Sequence, residues 1–315
     1  MPSDIVIGSR ESDLAMWQAE WVAAALRRTQ PSSRIRITGI RTKGDNILDV
    51  ALAKIGDKGL FTKELELALL SGDIDLAVHS MKDLPTTLPQ GLTIGAVCAR
   101  EYPGDVLIAK DDRTLEKLKK GARVGTSSLR RRAQLLHYRP DLHMVDIRGN
   151  LPTRLRKFRE MDLDAIVLAY AGIKRMGYEN LVTQFIPFEV CLPAVGQGSI
   201  GIEIRDGDET VGSTVAPLDN MQSRVAIEAE RAFMKRLEGG CQVPIGALGR
   251  VQDGVLTLEG CIADLHGKRA VRHALAGKPE EAVQLGVKLA EKLMDMGAGD
   301  ILKQARQEFG IHDGK

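Results

Sequence analysis

The sequence predicts an α/β protein made of two successive α/β halves and a small antiparallel α+β domain at the C-terminal end. Short apolar runs alternate with helix-period segments from the N-terminus, and the alternation restarts after Tyr102-Pro103-Gly104. Beyond Leu237 it gives way to three strand-like runs joined by short turns. At 315 residues the chain exceeds one comfortable core, so two or three domains are expected.

Asp4 to Gly8 is a short apolar run, and after a polar turn Leu14, Trp17, Trp21 and Ala24 recur at helical spacing. Arg34 to Ile40 alternates as a strand. Phe61 to Leu70 reads as a helix closed by Ser71-Gly72, and Ile74 to Val78 as a buried strand. Between them, Lys43 to Lys58 mixes Gly44, Asp45, Asn46, Gly56 and Asp57 with lysines and has no clear period, which reads as a mobile loop. In the second half, strands are expected near Val106 to Ala109, Ala122 to Gly125, Met144 to Ile147 and Ala165 to Ala169, with helical patterns between them.

Ser199 to Ile204 is one more strand, and Ser223 to Leu237 a helix. Gly246 to Val251, Val255 to Ala263 and Arg269 to Ala276 are strands joined at Asp253-Gly254 and His266-Gly267, and Glu280 to Met296 is a closing helix. No internal repeat of fixed period and no low-complexity tract is visible.

Composition narrows the class. With 43% apolar and 27% charged residues the chain reads as soluble and folded, and no run reaches the roughly 18 apolar residues of a spanning helix. Met1-Pro2-Ser3-Asp4 does not open a secretory signal, so a cytoplasmic protein is expected. Cys98, Cys191, Cys241 and Cys261 are far apart without a Cys-x-x-Cys pair, which argues for free thiols and against zinc or a disulfide scaffold. A net charge of +2 and 4% aromatic residues argue against a nucleic-acid protein, which wants a continuous basic face with stacking rings.

Several strand-to-helix turns carry arginine, at the strand ends where α/β folds place ligands. Ile7-Gly8-Ser9-Arg10-Glu11-Ser12 offers hydroxyls, backbone N–H groups and a guanidinium at a helix start. Taken alone, it is a cap with a surface arginine. Gly125-Thr126-Ser127-Ser128-Leu129-Arg130-Arg131-Arg132 repeats the arrangement with consecutive arginines in the first helical turn. Cations there oppose the helix dipole at roughly 0.3 to 1 kcal/mol each, a penalty that an anionic ligand offsets. Arg148 and Arg154 flank the start capped by Asn150, and Lys174 and Arg175 follow another strand. Arg156, Lys157 and Arg159 read as a solvated helix face. Guanidinium meets carboxylate in a two-pronged geometry, and no Walker loop is present, so a polycarboxylate is the expected guest.

Val78-His79-Ser80-Met81-Lys82-Asp83-Leu84-Pro85-Thr86 gathers polar groups at another strand end, where Pro85 discourages helix continuation. Asp83 beside Lys82 is expected to be ionised, fit to stabilise a cation or manage protons on nitrogen; a salt-bridged loop is the plainer alternative. His79 alone reads as a packed histidine. Cys241 follows Gly239-Gly240 on a loop, where it is either an exposed nucleophile or, like most single cysteines, inert.

VHSMKDLPT from Val78, GTSSLRRRAQL from Gly125, IRGNLPTRL from Ile147, LPAVGQGSIGIE from Leu192 and GGCQVPIGA from Gly239 together resemble the porphobilinogen deaminases, or hydroxymethylbilane synthases. The match keeps the family's order from IGSRESDLA at Ile7 to the terminal domain. The resemblance implies two α/β domains of the type II periplasmic-binding-protein kind flanking a cleft, formed by 1–98 with 199–216 and by 104–192. It also implies an α+β domain over 221–315 with a three-stranded antiparallel sheet.

The implied activity is deamination and head-to-tail joining of four porphobilinogens on a dipyrromethane cofactor held by a thioether to Cys241, with hydrolytic release of the linear product. Asp83 is the implied catalytic residue, stabilising a cationic azafulvenium. By the same resemblance Ser80, Lys82, Asp83, Thr126, Ser127, Ser128, Arg130, Arg131 and Arg148 hold the cofactor. Arg10, Ser12, Phe61, Arg148, Arg154, Arg175 and Gln197 meet the substrate, and Lys54 and Lys58 belong to a lid. No metal is implied, and the family implies a monomer. Two departures stand out: Ser199 where the family usually has Ala, expected to add a hydrogen bond, and Asp57 in place of a second Gly, expected to stiffen the lid. The rival reading is a non-catalytic two-lobed binding protein for polycarboxylate anions, which needs neither Cys241 nor a third domain.

Overall fold

A computed structural model describes residues 4–46, 59–237 and 243–308. These fall into two compact units, one of 4–46, 59–101 and 198–224, the other of 102–197, 225–237 and 243–308.

The first unit is built on a five-stranded sheet of β1 (Asp4–Arg10), β2 (Arg34–Ile40), β3 (Leu76–Ser80), β4 (Leu92–Val97) and β10 (Ile200–Arg205), in the order β2-β1-β3-β10-β4. β1 runs parallel to β2 and β3, while β10 is antiparallel to β3 and β4. Ile5 and Ile7 on β1 pack with Ala19, Val22, Ala23 and Leu26 of the helix Asp13–Thr29. On a separate core Leu65 and Leu69 of the helix Lys63–Ser71 meet Ile74 and Ala77. Gly72, at φ +81°, closes that second helix in a left-handed cap, a backbone state glycine adopts at little cost.

The second unit repeats the plan. Its five-stranded sheet holds β5 (Asp105–Ala109), β6 (Arg123–Gly125), β7 (His143–Val145), β8 (Ala165–Ala169) and β9 (Gln184–Phe185), in the order β7-β6-β8-β5-β9. β6 is parallel to β7 and β8, and β5 antiparallel to β8 and β9. In each sheet the antiparallel strand is the first strand after the chain passes from one unit to the other, β10 in the first sheet and β5 in the second. A repeated topology thus exists without a repeated sequence.

The same unit carries the three-stranded antiparallel sheet β11 (Ile245–Gln252), β12 (Val255–Ala263) and β13 (Ala270–Gly277). Asp253 and Gly254 both take positive φ, the geometry of a two-residue hairpin turn. Phe233 from the helix Met221–Arg236 and Leu289 and Leu293 from the helix Ala282–Leu293 fill its core. Glu230, fully buried, accepts from Gly196 N at 2.7 Å and Gly249 N at 2.8 Å, and so ties this sheet to the segment before Gln197.

Two expectations are corrected, and three elements were not foreseen. The closing helix expected over Glu280 to Met296 is α-helical over Ala282–Leu293 and continues as the wider turn Met294–Ala298; past Gly297, at φ +96°, Gly299–Glu308 forms a further helix that was not expected. β4 went unrecognised because Gly95 interrupts its apolar run, and the helix Glu209–Val215 because it is short and rich in small polar residues. Lys43–Asn46 forms a helical turn instead of opening a loop, and the rest of that expected lid, with Lys54, Asp57 and Lys58, lies outside the described residues. The Ser199 hydroxyl is buried and finds no hydrogen-bond partner among the described residues, so the added bond expected there is not made. No helix among the described residues is long and apolar enough to cross a membrane.

Candidate active site

One pocket in the first unit collects five of the sequence-predicted residues. Arg10, Ser12, Phe61, Ser80 and Asp83 line it together with Leu14, Ala15, Gln18, Val78 and His79. Arg10 ends β1 and Ser12 precedes the helix that begins at Asp13, so the first strand-to-helix turn delivers both. Ser80 ends β3, and Asp83 follows on the single 3₁₀ turn Met81–Asp83, which stops before Pro85. Lys82 lies on the same turn but not on the pocket wall.

The wall is ordered by side-chain contacts. The Arg10 guanidinium sits 4.2 Å from the centre of the Phe61 ring, a cation–π contact that fixes both. Buried Gln18 donates from Nε2 to Ser80 Oγ at 2.9 Å. Behind the pocket, His79 Nε2 lies 2.9 Å from Glu203 Oε2, with both side chains buried. Nearby Glu66 has its pKa raised, chiefly by burial, and Glu203 adds to the shift by repulsion.

In the second unit the arginines divide. Arg130 and Arg131 stand in the first turn of the helix Leu129–Tyr138, capped by Ser128. Both are 5% exposed, and the anion they meet within the protein is Asp105, fully buried at the start of β5. Arg130 Nη1 is 2.8 Å from Asp105 Oδ2 and Arg131 Nη2 is 2.7 Å from Oδ1. The helix-dipole penalty read from the sequence is therefore offset at least partly by an internal carboxylate. Burial alone would raise the Asp105 pKa, but the two guanidiniums outweigh it and hold the carboxyl below its ordinary value. Gln197, also buried, donates to Asp105 Oδ1 at 2.9 Å and to Pro103 O at 2.7 Å.

Arg148 differs. Its Nη2 is buried with no partner among the described residues, and burial lowers its pKa even with Asp146 acting in the opposite direction. A guanidinium nitrogen withdrawn from water without an acceptor is costly, and an anionic guest is what would repay it. Arg131 Nε is in the same condition.

The other predicted residues serve local turns. Ser127 Oγ bonds Ile147 on both its N–H and C=O at 2.9 Å, which joins the two arginine-bearing turns. Thr126 Oγ1 accepts from Ser128 N at 3.2 Å, and Arg154 Nε donates to Gly149 O at 2.8 Å. Arg175 closes the short helix Tyr170–Arg175. Arg156 pairs with Glu160 on the solvated face expected of it. Cys241, like Lys54 and Lys58, lies outside the described residues. Cys98, Cys191 and Cys261 are buried free thiols.

Sequence reading missed Gln18, Asp105 and Glu203. Glu203 did leave a signal, as a charge in the middle of the apolar run Ile200–Arg205. Asp105, just after Gly104, looks like an ordinary turn residue, and Gln18 like a polar position on an amphipathic helix.

The model of the family "Porphobilinogen deaminase, dipyromethane cofactor binding domain" matches residues 5–213, and that of "Porphobilinogen deaminase, C-terminal domain" matches residues 225–295. The chain is 60% identical over 308 residues to the porphobilinogen deaminase of Pelotomaculum thermopropionicum, covering 98% of this chain and 99% of the relative. It is 56% identical to that of Carboxydothermus hydrogenoformans, again over 98% and 99%. A distant likeness, at 15% identity and a TM-score of 0.41, is to the periplasmic aliphatic sulphonate binding protein SsuA from Escherichia coli, covering 76% of this chain and 71% of that one.

Proposed function

This chain belongs to the porphobilinogen deaminase family, and from that premise we propose that it acts as hydroxymethylbilane synthase. It deaminates porphobilinogen and joins four units head to tail on a covalent dipyrromethane, releasing the linear product by hydrolysis. The observation that carries the reading is the convergence of Arg10, Ser12, Phe61, Ser80 and Asp83 on one pocket from separate chain segments.

A pocket walled by a guanidinium, an aromatic ring, two hydroxyls and one carboxylate suits a small pyrrole with acidic side chains. Arg10 meets a substrate carboxylate and Phe61 stacks on the ring. Asp83 is the group of opposite sign. As ammonia leaves the aminomethyl carbon, positive charge spreads over the pyrrole and its nitrogen, and a preorganised carboxylate beside that nitrogen lowers the barrier. His79 and Glu203 fix the strand end that presents Ser80 and Asp83.

The unpartnered buried nitrogens of Arg148 and Arg131 fit a cofactor bearing several carboxylates. With Arg130, Thr126, Ser128, Ser80 and Lys82 they would hold the dipyrromethane, and Cys241 would carry it. When bound, that group supplies a permanent primer with a nucleophilic pyrrole carbon. Arg154, Arg175 and Gln197 complete the substrate side, and Lys54 and Lys58 a lid. We assign 1–98 with 199–216 and 104–192 to the two α/β domains and 221–315 to the cofactor-bearing domain, and we expect a cytoplasmic monomer.

The test is the intact mass of the purified chain under denaturing conditions, wild type beside Cys241→Ala. A dipyrromethane-sized addition on wild type alone supports the covalent reading. An unmodified wild type that gains no mass from porphobilinogen sinks it, and leaves a binding protein for polycarboxylate anions.

A further inference from the structure

Asp105 is the point at which three site residues from two segments meet, Arg130 and Arg131 from one helix and Gln197 from the chain before β10. Its Oδ1 accepts from Arg131 Nη2 at 2.7 Å and Gln197 Nε2 at 2.9 Å. Its Oδ2 accepts from Arg130 Nη1 at 2.8 Å and has the Cys191 thiol at 3.6 Å. A carboxylate has about four lone-pair sites, so this one is saturated by the protein and has nothing left for a ligand. It stands at the first position of β5, paired opposite Ala169 of β8, with its carbonyl accepting from Ile186 N at 3.0 Å. The base that holds the three donors is therefore part of the sheet.

The charge count adds a second argument. Two guanidiniums against one carboxylate leave one positive charge in a buried cluster, and the Cys191 thiol does not cancel it, since burial pushes its pKa up to about 12. Without Asp105 the two arginines would repel each other in a low-dielectric interior and turn towards solvent. With it, each has one end tied down: Arg130 Nη1 also reaches Leu192 O at 2.6 Å, and Arg131 Nη1 reaches Val167 O at 3.1 Å. Arg131 Nε is left buried with no acceptor among the described residues.

We infer that Asp105 is a positioning residue for the cofactor, setting the aim of Arg130, Arg131 and Gln197 and leaving one spare positive charge for one carboxylate of the bound group. The inference rests on the reading that these arginines hold the dipyrromethane. Asp105 itself touches neither cofactor nor substrate.

The test is Asp105→Asn, nearly isosteric, expressed as the full chain and compared with wild type for covalent cofactor mass, kcat and KM for porphobilinogen. The expected result is a folded protein whose cofactor-bearing fraction and kcat each fall ~10-fold or more, as for other residues that orient a site group from behind. KM changes less than kcat, because of the three donors only Gln197 is assigned to the substrate side and Pro103 O holds it as well; a purely structural defect would not separate kcat from KM in this way. Wild-type loading and turnover in Asp105→Asn would overturn the inference. Should Asp105→Asn fail to fold, Asp105→Glu applies the same test, since it keeps the charge and displaces the carboxylate by one methylene. A mere counter-ion tolerates that change and gives wild-type kcat, which also overturns the inference, whereas a positioning residue loses turnover. Arg130→Lys and Arg131→Lys are measured in parallel. If both load and turn over normally, the reading of these arginines as cofactor ligands has failed; if they are defective while Asp105→Asn is not, only the positioning role has.

Discussion

His79 Nε2 lies 2.9 Å from Glu203 Oε2, and the pair joins the pocket wall to the centre of the first sheet, where β3 and β10 run side by side. Removing one partner of a buried polar pair leaves the other unsatisfied. Glu203→Ala should therefore cost about 3 kcal/mol of stability, and Glu203→Gln, which keeps an acceptor, about 1 kcal/mol. Urea unfolding measures both, and equal losses would show that an acceptor oxygen and the filled space together are not enough to replace Glu203.

Asp83 lines the pocket from a 3₁₀ turn and is only partly buried, so its loss should be felt in rate and not in folding. Asp83→Ala is expected to lower kcat ~100-fold or more with an unchanged melting temperature, the scale of losing one preorganised electrostatic group. Near-normal product formation by that variant would refute the role.

Arg148 bears a desolvation penalty that Asp146 relieves only in part, and its Nη2 has no partner among the described residues. In a Cys241→Ala background, which removes the proposed anchor, Arg148→Met should leave stability unchanged or raise it by about 0.5 to 1 kcal/mol, as strained functional groups commonly do when replaced. On the wild-type background the same change should reduce covalent cofactor mass. A marked loss of stability in the anchorless chain would instead make Arg148 a structural residue.

What the sequence disclosed follows from how local each signal is. Strand and helix periods, the Asp253-Gly254 turn and the residues at strand ends are fixed by neighbours in the chain, so the turns bearing Arg10, Ser12, Ser80 and Asp83 were legible, while the roles of those residues came from the family resemblance. The partners of Arg130 and Arg131 were not. Asp105 is brought to them by sheet pairing between β5 and β8, and a string of arginines alone suggests an external anion as readily as an internal one. Glu203 was hidden in the same way, since its partner His79 is 124 positions distant. The roles of the lid and of Cys241 rest on family resemblance, because a stretch with no period reads only as a loop.

The buried thiols make stability depend on alkaline pH. Burial pushes the Cys191 pKa from 9.0 to about 12 and that of Cys261 to about 11. A group whose pKa is raised on folding contributes fully below its unfolded value, and the contribution is lost as pH rises through the folded one. Between pH 9 and 10.5 wild type should lose about 2 kcal/mol through Cys191 that Cys191→Ala does not, at 1.36 kcal/mol per unit. Thermal unfolding across that range compares the two slopes, and parallel slopes would show the thiolate is not excluded from the folded state.

Glu230 is a further anchor, because one buried carboxylate satisfies two backbone N–H groups from separate segments. Gly196 N at 2.7 Å belongs to the segment leading to Gln197, and Gly249 N at 2.8 Å to β11. Gly196 has φ +73°, so the segment depends on that anchor to hold a left-handed backbone turn in place. Glu230→Gln can still accept only one of the two bonds, and should cost about 2 kcal/mol, with Glu230→Ala costing about 3 to 4 kcal/mol as both donors are left buried. The loss should also loosen Gln197, so amide exchange at Gly196, Gln197 and Gly249 should rise together in Glu230→Gln while exchange in the first unit is unaffected. Faster exchange at Gly249 alone would show that the Gly196 bond does not anchor the segment, and that Gln197 is held by Pro103 and Asp105 without help from the C-terminal sheet.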